Sequence, residues 1–134
     1  MSPSYEGSVT MVVLSEKIIF SGDIKTVTIP SYEGDMSVLK NHISIITFLR
    51  PGRIKIEKNE GNLEEFFVED GTVEFSNDRL VVLSASAINF KNLSKDLLEN
   101  LSKDAQNKLL EQSITDHERY ILNHKLDTIK EIRV

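Results

Sequence analysis

Three side chains of the kinds that make up a hydrolase triad stand close together near the middle of the first half of the chain: Asp35, Ser37 and His42. With Ser37 as nucleophile, His42 as base and Asp35 as orienting carboxylate, they would make a small hydrolase. Side chains so near along one chain rarely meet in triad geometry, and no G-x-S-x-G elbow surrounds the serine. Two further histidines, His117 and His124, share one helical face but lie two turns apart. The i, i+4 spacing that chelates zinc is missing, so both read as solvated surface residues. Glu64-Glu65 and Glu69-Asp70 flank hairpin turns, where carboxylates are hydrated rather than held in the apolar pocket that acid–base work requires. No G-x-x-x-x-G-K-S/T or G-x-G-x-x-G phosphate loop occurs. With no cysteine, thiol nucleophiles, disulfides and cysteine-ligated zinc are excluded. The residues offer no enzyme, and no catalytic residue, cofactor or metal site is expected.

The elements that must position these residues change character near residue 90. Before it, short runs rich in β-branched residues alternate with turns: 9–14, 17–20, 24–29, 43–49, 54–58, 63–68, 72–75 and 79–84. Ser21-Gly22-Asp23, Asn59-Glu60-Gly61-Asn62, Asp70-Gly71 and Asn77-Asp78 supply turn chemistry, with glycine and asparagine providing positive φ. Eight such strands predict an antiparallel β-sandwich over 1–90. After Asn92 there is neither glycine nor proline, and leucines and isoleucines recur at three- and four-residue intervals. Residues 91–134 therefore predict a two-helix hairpin. Ser94 serves as the first N-cap, and a Thr115–Glu118 capping box restarts a helix after a break near 112–114; with no glycine or proline there, one continuous helix stays open as the alternative.

A chain of 134 residues with 40% hydrophobic content fits one compact domain, or a small domain with an appendage. Its net charge of −5 disfavours nucleic acid and anionic lipid surfaces as partners. No apolar stretch approaches the roughly 20 residues that span a bilayer. The start, MSPSYEGS, lacks a basic segment and an apolar core, so it does not read as a secretory signal. A soluble bacterial protein is expected. The residues alone leave open a free-standing β-sandwich binding module alongside the hydrolase on Ser37 and His42.

Several short motifs occur in an order and spacing that resemble the epsilon subunit of the F-type ATP synthase, the small rotor subunit of the F1 central stalk. They begin with Ile19-Phe20-Ser21-Gly22 and the acidic turn Glu33-Gly34-Asp35. The stretch from Ser37 to Ser44 matches G-V-L-P-G-H-A-P, and Pro51-Gly52 precedes the next strand. Val68 to Phe75 matches V-x-G-G-x-x-E-V and leads to Val82-Leu83. Ser37, Lys40, Asn41 and Ser44 depart from that pattern, replacing glycines and prolines of the family.

The resemblance implies a non-catalytic subunit linking the gamma subunit to the membrane c-ring, coupling proton or sodium translocation to ATP synthesis. It implies association with the cytoplasmic face of the bacterial membrane through the complex only. Tyr32, Glu33, Asp35, Ser37 and His42 are then contacts to gamma and the ring. Ile121, Leu122, Leu126 and Ile129 form a regulatory helix face that touches the alpha and beta subunits transiently and inhibits ATP hydrolysis. Family members that bind ATP carry I/L-D-x-x-R-A at the start of the first helix, where this chain has Leu93-Ser94-Lys95-Asp96-Leu97-Leu98. Leu97 offers nothing to a phosphate where an arginine would supply charge-assisted hydrogen bonds. Isothermal titration of the isolated protein with ATP is expected to show no binding at sub-millimolar concentrations; a micromolar isotherm would overturn that expectation.

Overall fold

The computed structural model describes residues 7–13, 18–38, 44–58, 61–76 and 79–132. Among them are nine strands: β1 (Gly7–Val13), β2 (Ile18–Ser31), β3 (Gly34–Val38), β4 (Ile45–Leu49), β5 (Gly52–Lys58), β6 (Leu63–Val68), β7 (Gly71–Ser76), β8 (Arg79–Ser84) and β9 (Ala87–Asn89). The longest of these, β2, runs for 14 residues. Its early residues pair with β1, and its later ones with β3 and β5. From β1 the ladder runs through β8 and β7 to β4, whose Leu49 meets Ser31 of β2. From β5 it runs through β6 to β9. The strand β2 thus belongs to both layers of a sandwich. All pairs are antiparallel except β1 with β8.

Sequence predicts two strands with a turn at residues 21–23; the structure runs one strand through them. Strict alternation from Ile24 would also place Val27 on the opposite face. Instead Ile24, Val27 and Ile29 are all fully buried, because the pairing with β5 shifts register between Ile24 and Thr26. A bulge of that kind adds one residue and turns the strand's later side chains over. Lys25, the extra residue, points outward and lies 3.6 Å from Glu57. The strands β3 and β9 are also additions: Gly34–Val38 is short and mixed in polarity, and Ala87–Asn89 has three residues.

Ile29, Leu49, Ile54, Ile56, Phe66, Phe75 and Leu80 fill the space between the layers. Each such burial contributes about 1.5–3 kcal/mol. In β6 three successive residues, Phe66, Phe67 and Val68, are buried. Phe66 and Val68 face the sandwich core, whereas Phe67 belongs to a second cluster with Leu93, Leu98, Ile129 and Ile132. That cluster lies under α1 (Lys95–Leu109) and α2 (Asp116–Glu131). Leu97, standing where the family's arginine would be, packs against the same cluster.

Both helices begin as their sequences predict. The Leu97 N–H donates to Ser94 Oγ at 3.1 Å. At the second start the Glu118 N–H donates to Thr115 Oγ1 at 3.0 Å, and the Thr115 N–H reaches Glu118 Oε1 at 3.4 Å. The chain between them bends, giving the hairpin rather than one long helix.

Gly71 is needed for closeness rather than for positive φ, which among the described glycines belongs to Gly34 and Gly61. A Cβ at Gly71 would collide with the Leu83 carbonyl oxygen on β8. Beside it the buried Ser84 hydroxyl lies 2.9 Å from the Glu69 carbonyl, so the backbone here has little freedom to move. Gly71→Ala is expected to lower stability by about 1–3 kcal/mol, the usual cost of overpacking, read as a lower denaturant midpoint with an unchanged m-value. An unchanged midpoint would show that β8 yields freely.

Candidate partner interface

The acidic turn joins β2 to β3. Gly34 adopts φ of 122°, and the Ser31 hydroxyl donates to the Gly34 carbonyl at 2.6 Å, closing the turn from within. Two backbone bonds fix it to β4: Tyr32 N–H to the Phe48 carbonyl at 3.2 Å, and Arg50 N–H to the Pro30 carbonyl at 3.0 Å. Glu33, Asp35 and Ser37 are exposed. Asp35 stands 4.0 Å from Arg50, and the Ser37 hydroxyl 3.4 Å from that of Thr28. His42 lies outside the described residues, so the structure does not address a Ser37–His42 pair or a partner contact through this imidazole.

Tyr32 differs from its neighbours. It is half-buried in an aromatic cluster, with ring centroids 5.9 Å from Phe48 and 5.1 Å from Tyr120. Its hydroxyl lies 3.3 Å from His117 Nε2, and the Tyr120 hydroxyl donates to its carbonyl at 3.4 Å. Burial, then the charges of Asp70 and Tyr120, raise the Tyr32 phenol above its ordinary pKa, so it stays protonated. Tyr32 is therefore already engaged in holding α2 to the turn.

The histidines expected at the solvated surface lie along the same contact. His117 is exposed but bonded to Tyr32, while His124 is half-buried with its ring edge-on to Tyr120 at 4.4 Å. Burial, and secondarily Arg50, lower the His124 pKa below 6.5 against a smaller opposing effect of Asp127. The acidic pairs are not merely hydrated either. Glu64 lies 3.0 Å from Lys58, Glu65 3.3 Å from Arg53, and Glu69 2.7 Å from Lys125 of α2. The Thr128 hydroxyl lies 3.5 Å from the Pro51 carbonyl. Between α2 and the β2–β5 layer is a polar cleft of about 360 Å³ lined by Arg50, Arg53, Asp35, His124 and Asp127.

The expected regulatory face is turned inward. Leu122 and Ile129 are buried, and Ile121 and Leu126 half-buried. In this arrangement the stripe packs within the chain.

A surface that the sequence reading missed is the outer face of β4, β7 and β8. Ile46 is 79% exposed, Phe48 64% and Leu83 47%. Phe48 stands opposite Thr72, which stands opposite Leu83; Ile46 stands opposite Glu74. These side chains thus share one sheet face. The signal was present: ISIITFL is apolar at both parities of an alternating strand, where a half-solvated sheet calls for polar residues on one side. Large apolar side chains exposed together on one sheet face make it a candidate protein-binding surface.

A two-layer sandwich carrying a C-terminal helical hairpin and an exposed apolar sheet face defines the class of protein. Residues 9–90 match the family model described as ATP synthase, Delta/Epsilon chain, beta-sandwich domain. The chain is 39% identical over 127 residues to the ATP synthase epsilon chain of Pelagibacter ubique, covering 95% of this chain and 97% of that one. It is 37% identical to the epsilon chain of Polaromonas naphthalenivorans over 72% of this chain and 75% of the relative. Among solved structures, the fold is similar to a chain of the Euglena gracilis mitochondrial ATP synthase (OSCP/F1/c-ring), with a TM-score of 0.73 and 18% identity, over 97% of this chain and 81% of that one. It is similar also to one from the central stalk and c-ring of the Tetrahymena thermophila enzyme, with a TM-score of 0.61 and 12% identity, over 97% of this chain and 98% of that one. The chain belongs to the ATP synthase epsilon chain family.

Lys125 and Glu69 are both largely shielded from solvent, which strengthens their pairing relative to an open surface pair. A double-mutant cycle on stability with Lys125→Met and Glu69→Gln is expected to give a coupling energy of about 1–2 kcal/mol. A value near zero would remove this pair from the forces that hold α2.

Proposed function

We propose that the chain is a non-catalytic central-stalk subunit of an F-type ATP synthase, linking the gamma subunit to the c-ring and so coupling ion translocation to ATP synthesis. Family membership supports the role, and the exposed face of Ile46, Phe48 and Leu83 is the observation that carries the mode of docking. A rotor link transmits torque between two partners, so it needs a rigid body with two separate contacts. The sandwich supplies the rigidity. Its apolar face is suited to a broad, desolvated contact with gamma, and the exposed carboxylates of Glu33 and Asp35 to the polar loops of the ring. Ser37 extends the polar margin of these contacts, and His42 is a further contact residue on the family resemblance alone.

No helix among the described residues is long and apolar enough to cross a membrane. The subunit joins the cytoplasmic face of the bacterial membrane peripherally, through the complex. The hairpin regulates: released from the sandwich, the stripe of Ile121, Leu122, Leu126 and Ile129 becomes available to gamma or to the alpha and beta subunits, and a helix inserted there blocks rotation in the hydrolysis direction. The chemistry of ATP hydrolysis stays with other subunits.

Phe48→Ala is expected to weaken binding to purified gamma by about 2 kcal/mol, roughly thirty-fold in Kd, the scale of an interfacial aromatic anchor. Equal affinities would move the contact off this face. Cysteines at residue 35 and in the polar loop of the ring are expected to crosslink in the assembled enzyme. Failure under conditions that do link this subunit to gamma would remove the acidic turn from the ring contact.

A further inference from the structure

The imidazole of His124, on α2, lines the cleft between that helix and the sandwich. His124 lies against the ring of Tyr120 and near the guanidinium of Arg50, at the wall of the cleft that separates α2 from β2 and β5. We propose that His124 makes the docking of α2 sensitive to pH: the uncharged ring packs into the contact, and its protonation loosens the helix from the sandwich. The inference concerns the isolated chain and stands whether or not the proposed docking on gamma holds.

The groups that share this cleft with His124 or touch its ring come from both walls. From the sandwich these are Asp35 on β3, Arg50 before β5, and Arg53 and Lys55 on β5. From α2 they are Tyr120, Asp127 and Glu131. Arg53 is occupied, 3.3 Å from Glu65 and with its guanidinium 5.1 Å over the Phe90 ring. Arg50 is not comparably neutralised, since its contact with Asp35 is long, 4.0 Å, and that carboxylate is mostly in water. A proton on His124 therefore adds a second positive charge beside Arg50 in a half-buried contact, and Asp127 offsets this only in part.

Detaching α2 returns His124 to water and to its ordinary pKa of 6.5, whereas docking lowers it. The detached state then binds more protons, so docking is fully favoured above 6.5 and weakens as pH falls through the lowered value. Lys125 with Glu69 and the apolar contacts of Ile129 oppose the release, so α2 loosens by degrees while the sandwich stays folded.

The chain has no cysteine and no tryptophan, so a dye pair on Asn123→Cys of α2 and Ala85→Cys between β8 and β9, both exposed positions, has no background. Energy transfer is expected to fall as pH is lowered from about 8 to about 5, with its midpoint below 6.5, while circular dichroism keeps its strand and helix signals. In the unlabelled native chain, the His124 imidazole resonances should titrate at that same midpoint. Arg50→Gln is expected to move the midpoint up toward 6.5, His124→Gln to abolish the drop, and His117→Gln to leave it in place. Constant transfer across the range would overturn the proposal. So would an imidazole midpoint that differs from the transfer midpoint, or an unmoved midpoint in Arg50→Gln, which decides the matter even if His124→Gln fails to fold.

Discussion

Burial on both sides of β6 is the constraint on which the arrangement of the molecule depends. Phe66 and Val68 fill the space between the two layers, and Phe67, pointing the other way, would face water without the helices. Phenylalanine buries about 150–250 Å², so one residue supplies several kcal/mol of reason for something to cover that outer surface. Leu93, Leu98, Ile129 and Ile132 do so from the segment immediately following and from the end of α2. The hairpin is therefore a lid on one layer, while the outer face of the other layer stays open at Ile46, Phe48 and Leu83.

That asymmetry separates two kinds of surface. The contact under the hairpin is apolar where α1 and the end of α2 meet Phe67, and polar along the rest of α2. There Lys125 meets Glu69, Thr128 lies near Pro51, and Tyr120 and His117 meet Tyr32. Contacts of the second kind each give modest net stabilisation because water competes for the same groups. The first half of the contact resembles a core and the second an exchangeable interface. The regulatory role proposed for this helix would use both: apolar burial to define a resting position, and polar contact that makes leaving it less costly.

The sandwich and hairpin were legible because β-branched runs and the three- and four-residue leucine spacing report directly on burial. Ser94 and Thr115 were legible because capping is a local interaction, fixed by residues three apart. Long-range pairing was less so. No local signal says that Gly22 lies within one continuous strand, or that a register shift after Ile24 brings Val27 to the core; those follow from which strands compete for each edge of β2. The turn at Glu33-Gly34-Asp35 was visible through its glycine. The inward role of Tyr32 was not, because its partners are 85 and 88 residues away. The same distance hid the surroundings of His117 and His124, which by composition alone belong in water.

The capping box at Thr115 has a consequence for speed. Because Glu118 and Thr115 satisfy each other's backbone groups, those N–H groups at the start of α2 need no partner from the sandwich. If α2 leaves its seat as proposed, a start that is already capped favours keeping the helix formed, and nucleation is the slow, unfavourable part of making one. Exchange between a seated and a released form would then need side-chain contacts to break and a preformed rod to swing about the bend at 110–114. Such a release would make the hairpin a hinged lever, responding in the time of a loop motion and not that of a folding reaction.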